Sequence, residues 1–80
     1  IMQEELKLLY NYLRKNGYNQ DAKRIEEVME KISKNNSESA KKRLVAMCNP
    51  KYLGDLNIAE FDSVYEWWNF LENIALKARS

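Results

Sequence analysis

Few residues in this 80-residue chain have the chemistry of a reactive or ligand-binding group, and their types exclude more than they specify. Histidine is absent. The commonest general base and metal ligand is therefore missing, and a serine triad or a Cys-His pair would lack its imidazole. Zinc would find only Cys48 and carboxylates, against the several Cys or His ligands that structural and catalytic zinc sites use. No glycine-rich phosphate loop or calcium-loop spacing occurs. Paired carboxylates remain: Asp62 and Glu66 stand four apart, and Glu26-Glu27 adjoin Glu30. Carboxylates at that spacing could bind a metal or do acid–base work, but they are far more commonly the pattern of a solvated helix face, and nothing around them marks a recess. Cys48 falls at the end of an apolar stripe, at the negative end of a helix dipole. That position disfavours thiolate and reads as a buried, inert thiol. Lys41-Lys42-Arg43, with Lys34 and Lys51 nearby, could touch phosphate, or form a basic solvated face. No catalytic residue, metal or cofactor is expected.

The elements that must position these groups are helices. Gly17, Gly54 and Pro50 are the only strong breakers in a chain rich in Glu, Lys and Leu. The first helix is predicted over Gln3 to Lys15, with Met2, Leu6, Leu9 and Leu13 on one face, acids in the first turn, bases in the last, and Asn16-Gly17 as the stop. The second is predicted over Gln20 to Lys34, with Asn19 as N-cap and Ala22, Ile25, Val28, Met29 and Ile32 as its stripe. Glu27-Lys31 and Glu30-Lys34 pairs support its exposed face. The third runs from Ser37 to Cys48, capped by Ser37 or Asn36, with Ala40, Leu44, Met47 and Cys48 sharing a side. Asn49-Pro50 ends it. A connector follows over Lys51 to Asn57. The fourth helix is predicted over Ala59 to Arg79. Phe61, Val64, Tyr65, Trp68, Leu71 and Ala75 cluster on one side of it, and Trp67, Phe70 and Ile74 widen the apolar arc beyond that of an ordinary surface helix. Short loops between four helices predict an all-α, compact four-helix domain with a long C-terminal helix, covering residues 1–80.

Eighty residues make one thin-cored domain. No apolar run is long enough to span a membrane, and no secretory signal is visible. The Ile-Met start is read as a native Met2 preceded by a residue left from a cloned tag, which implies a cytoplasmic chain. A single cysteine permits no internal disulfide and fits a reducing compartment. The net charge of +1 disfavours a dedicated nucleic-acid binder.

Charge is unevenly spread. From Tyr52 to Leu76 there are Asp55, Glu60, Asp62, Glu66 and Glu72, both tryptophans, and no Lys or Arg. Adjacent tryptophans on a helix point about 100° apart, so one buried deeply leaves the other near the rim. Trp68 fits the core side better, which makes Trp67 the candidate contact residue. Tryptophan often dominates interface energy. Asp55, Glu60, Asp62, Glu66, Trp67 and Phe70 therefore form the expected docking patch for a basic protein, whose approach the acids would speed.

Size, helical content and the segment Cys48-Asn49-Pro50-Lys51-Tyr52-Leu53-Gly54-Asp55-Leu56 make the chain resemble the small all-helical immunity proteins that bacteria pair with nuclease toxins. The resemblance implies a cytoplasmic, non-catalytic toxin inhibitor that covers a basic nuclease cleft. Two other readings stand beside it: a helical structural or regulatory module that self-associates, and a nucleic-acid binder using Lys41, Lys42 and Arg43.

Overall fold

The computed structural model describes residues 3–79. Four helices follow one another: α1 (Gln3–Lys15), α2 (Asn19–Asn35), α3 (Glu38–Met47) and α4 (Val64–Arg79), with a 3-10 turn at Leu53–Asp55 before the last. No strand occurs among the described residues. Each helix packs on its successor, and α4 also packs on the 3-10 turn. The radius of gyration, 11.6 Å, is that of a fully collapsed chain of this length. Ile1 and Met2 lie outside the described residues.

The loops obey local chemistry. At the end of α1, Tyr18 N–H donates to Leu13 O at 2.8 Å and Gly17 N–H to Arg14 O at 3.1 Å. This is the paired closure of a Schellman cap, with Gly17 at φ +87° in the left-handed region that glycine enters without strain. Asn36 closes α2 at φ 47°, its N–H bonded to Ile32 O. Ser37 caps α3 by accepting from Ala40 N–H at 3.2 Å. Asn19 is not the cap of α2 but its first residue, behind Tyr18, which makes no side-chain capping bond.

The core joins one stripe from each helix: Leu6, Leu9 and Leu13; Ala22, Ile25 and Val28; Ala40, Leu44 and Met47; then Trp67, Leu71, Ile74, Ala75 and Ala78, together with Leu53 and Ile58. Met29 and Ile32 pack against it from its edge.

The last helix departs from expectation in two ways. It begins at Val64, not Ala59. Residues 57–61 are drawn onto the α1–α2 corner instead: Asn57 N–H donates to Tyr18 Oη at 3.1 Å, and Ala59 N–H to Asn16 Oδ1 at 3.0 Å. Ser63 then starts the helix, its Oγ accepting from Glu66 N–H at 3.3 Å. Its buried stripe is also turned by roughly a quarter of the circumference from the predicted one. Trp67 is 2% exposed, whereas Val64 and Tyr65 are 44% and 69% exposed. Trp67 Nε1 donates to Leu53 O at 2.8 Å, which gives the buried indole the partner it needs. Phe61, Phe70 and Tyr12 pack their rings around it: Trp67 stacks on Phe70, and Tyr12 meets both phenylalanines edge-on.

Trp67→Ala should cost about 3–5 kcal/mol, the range for removing a buried aromatic, out of the roughly 5–15 kcal/mol that holds a domain together. Urea unfolding followed by circular dichroism measures it. An unmoved midpoint would show that Trp67 is not a core residue.

Candidate functional site

Trp67 is 2% exposed, with its indole N–H donated to the connector, and reaches the surface only in the lining of the cleft beside Asp62. Phe70 is half-buried in the same ring cluster and braces α4 against Tyr12 of α1. Of the six residues expected to form a patch, the structure leaves the four acids at the surface: Asp55, Glu60, Asp62 and Glu66 are all exposed.

Of the eight other described acids, five are paired, and Glu4, Glu26 and Glu27 are not. Asp21, Glu30, Glu38, Glu5 and Glu72 form ion pairs with Arg24, Lys34, Lys41, Lys77 and Arg79. Among the described residues, Asp55, Asp62 and Glu66 have no cationic partner, and Glu60 has only the neutral amide of Asn16, whose Nδ2 donates to its Oε1 at 2.7 Å. Glu27 and Lys31, expected to pair, do not. Asp62 borders a cleft of about 170 Å³ with Leu56, Asn57, Ile58, Ser63 and Val64, so the acid sits where the connector meets the start of α4. Asp62 and Glu66 are one turn apart around that start, where the positive end of the helix dipole favours negative charge.

Trp68 takes the rim position that its neighbour was expected to hold. It is half-buried, and its Nε1 donates to Gly54 O at 2.9 Å. Tyr65 stands against it edge to face, with centroids 5.6 Å apart and an interplanar angle of 88°. The connector is fitted closely to this ring: a Cβ on Gly54 would lie 2.8 Å from Trp68 Nε1 and 3.3 Å from Asn49 O. At the connector's start, Tyr52 is 40% exposed and accepts a 2.6 Å bond from Arg24 Nη1. Tyr65 and Val64 are thus exposed, although the sequence reading set both on the apolar side of the helix. A signal for them was present: Ser63-Val64-Tyr65-Glu66 has the S-x-x-E pattern of a helix start. Starting the helix there removes Phe61 from the stripe that had pulled Trp68 inward.

The basic cluster does not form one surface. Lys41 and Lys42 line a groove of about 300 Å³ with Arg79, Val45 and Ala78, whereas Arg43 lines a separate one with Lys31, Glu27 and Ser39. Lys41 is paired with Glu38 and Arg79 with Glu72, which reduces the charge left for phosphate. No three Cys, Asp or Glu residues converge as metal ligands among the described residues. No described helix is long and apolar enough to cross a membrane.

Cys48 is buried at the end of α3, and desolvation, aided by the nearby Glu72 carboxylate, pushes its thiol up to about 12. It should resist alkylation at pH 8 until the protein unfolds, as timed iodoacetamide labelling with and without urea would show. Because the folded value lies above the ordinary 9.0, the associated stability is complete below pH 9.0 and is lost as pH rises towards about 12. Cys48→Ala should flatten that part of the stability profile. Gly54→Ala should displace the Trp68 ring and destabilise the fold by about 1–3 kcal/mol, the range for overpacking. An unchanged Trp68 indole N–H resonance would refute the close fit.

Compared with known proteins, the chain matches no family model, no curated protein and no solved structure.

Proposed function

We propose that the protein is a non-catalytic binding module that docks a basic protein on the acidic face around the start of α4, and that its partner is a nuclease-type toxin domain of the kind small helical immunity proteins block. The observation that carries the reading is the set of unpaired carboxylates. The four acids between the connector and the first turn of α4 are all exposed and have no ion-pair partner among the described residues, while five of the eight acids elsewhere on the described chain are paired. Like charges held together repel one another, and folding does not require all of them. A basic partner would relieve that repulsion and be steered by it. Tyr65 and Val64, 69% and 44% exposed, supply apolar area beside the acids. An aromatic side chain at the centre of such a patch is the usual source of binding energy. The contact residues in this reading are Asp55, Glu60, Asp62, Glu66, Val64 and Tyr65, with Trp67 and Phe70 supporting them from within.

The test pairs the protein with a basic nuclease-type toxin domain, chosen from the neighbouring gene wherever that gene encodes one. The wild-type chain should bind that domain and suppress its toxicity. Asp62→Lys combined with Glu66→Lys should leave the circular dichroism spectrum unchanged, because both residues are exposed. The double variant should weaken binding by about tenfold or more, equivalent to roughly 1.4 kcal/mol. Undiminished binding by the variant would place the docking face elsewhere. No complex between the wild-type pair at low salt would overturn the reading.

A further inference from the structure

Resting on the docking reading, we infer that the exposed Tyr65–Trp68 pair is an arginine receptor, the point at which the basic partner inserts a guanidinium group. The geometry is preorganised. Trp68 is fixed by its 2.9 Å bond to Gly54 O, and Tyr65 is held at 88° against it while remaining 69% exposed. The two rings stand nearly perpendicular, Tyr65 exposed and Trp68 half-buried, and the π surface they leave open to solvent attracts a cation. Unpaired carboxylates stand next to the pair in the chain: Asp55 follows the glycine whose carbonyl anchors the indole, and Glu66 follows Tyr65, both exposed, whereas Glu72, one turn beyond Trp68, is already paired with Arg79. Among the described residues no cation of the chain itself covers that surface. Arg14 lies over the Tyr10 ring instead, on α1.

Arginine fits better than lysine. Its planar guanidinium stacks on an aromatic face while its N–H groups still reach a carboxylate, and it sheds water more readily than an ammonium. The groups that hold the pair in place are built into the fold. The only N–H of Trp68 is used on the connector, so the ring cannot turn to bury itself without breaking that bond. Because an ordered receptor loses little freedom on binding, little of the attraction is spent on ordering.

Titration of the full chain with capped hexa-arginine and hexa-lysine peptides at low salt, followed by the Trp68 indole N–H resonance, tests this. Both peptides should bind the acidic face, and the arginine peptide about threefold to fivefold more tightly, the fold-change expected for an exposed cation–π contact. Tyr65→Leu keeps the apolar area at an exposed position but removes the ring. It should bring the two peptides to equal affinity, whereas Asp62→Lys with Glu66→Lys should weaken both alike. Equal binding of the two peptides by the wild-type chain, or an arginine preference that survives Tyr65→Leu, would overturn the receptor and leave the docking reading intact. If neither peptide binds, both fall.

Discussion

Two consecutive indoles donate to two consecutive carbonyls: Trp67 to Leu53 and Trp68 to Gly54. The rest of α4's surroundings depends on this pairing. It clamps the 3-10 turn along the helix and fixes the helix's rotation, so that Trp67 points inward and Trp68 lies at the rim. A buried indole N–H without an acceptor would cost about 1–3 kcal/mol, so the connector is part of the core even though it makes only one short turn of regular structure. Leu53 is fully buried between the rings and the bundle, and Gly54 is small because the second indole lies against it.

The clamp also separates two uses of aromatic residues. Trp67, Phe61, Phe70 and Tyr12 form one internal ring cluster that fills the space between α1 and α4. Tyr65 and Trp68 form a second pair on the outside. The acids follow the same division. Four of the seven on α1, α2 and α3 are tied to cations of the chain, whereas none from the connector to the first turn of α4 is, among the described residues. At the start of a helix, Asp62 and Glu66 interact favourably with the dipole, so the fold tolerates their mutual repulsion of a few tenths of a kcal/mol. The acidic segment is therefore cheap to maintain.

Much of the helical skeleton was legible in the sequence because it is written in local signals. Leu6, Leu9 and Leu13 have one possible face, Asn16-Gly17 has one sensible role, and Ser37 caps the helix it precedes. The errors arose where two periodic stripes coexist. Phe61-Val64-Trp68-Leu71-Ala75 and Trp67-Leu71-Ile74-Ala75-Ala78 share residues and differ in rotation. Hydrophobicity favours the first, since alanines weigh little. Long-range hydrogen bonds decide for the second: Asn16 and Tyr18 hold residues 57–59 away from the helix, and Leu53 supplies the acceptor for Trp67. None of these contacts is visible in a local window. The exposure of Asp55, Glu60 and Asp62 does not depend on how α4 is rotated, since all three precede it, whereas the choice between adjacent tryptophans does.

Asn16 gives the acidic face a chemical lifetime. Its amide donates to Tyr12 O and Glu60 Oε1 and accepts from Ala59 N–H, all within 3.0 Å. It also precedes Gly17, the neighbour that makes an asparagine prone to deamidation, because an unhindered glycine amide can attack the side-chain carbonyl. In the folded chain that amide is engaged with Arg14 O, so the cap that ends α1 also shields the bond. Where the cap frays, conversion to aspartate would remove both donors and set a new carboxylate against Glu60. The protein's slow ageing would then begin at the corner that anchors its acidic segment.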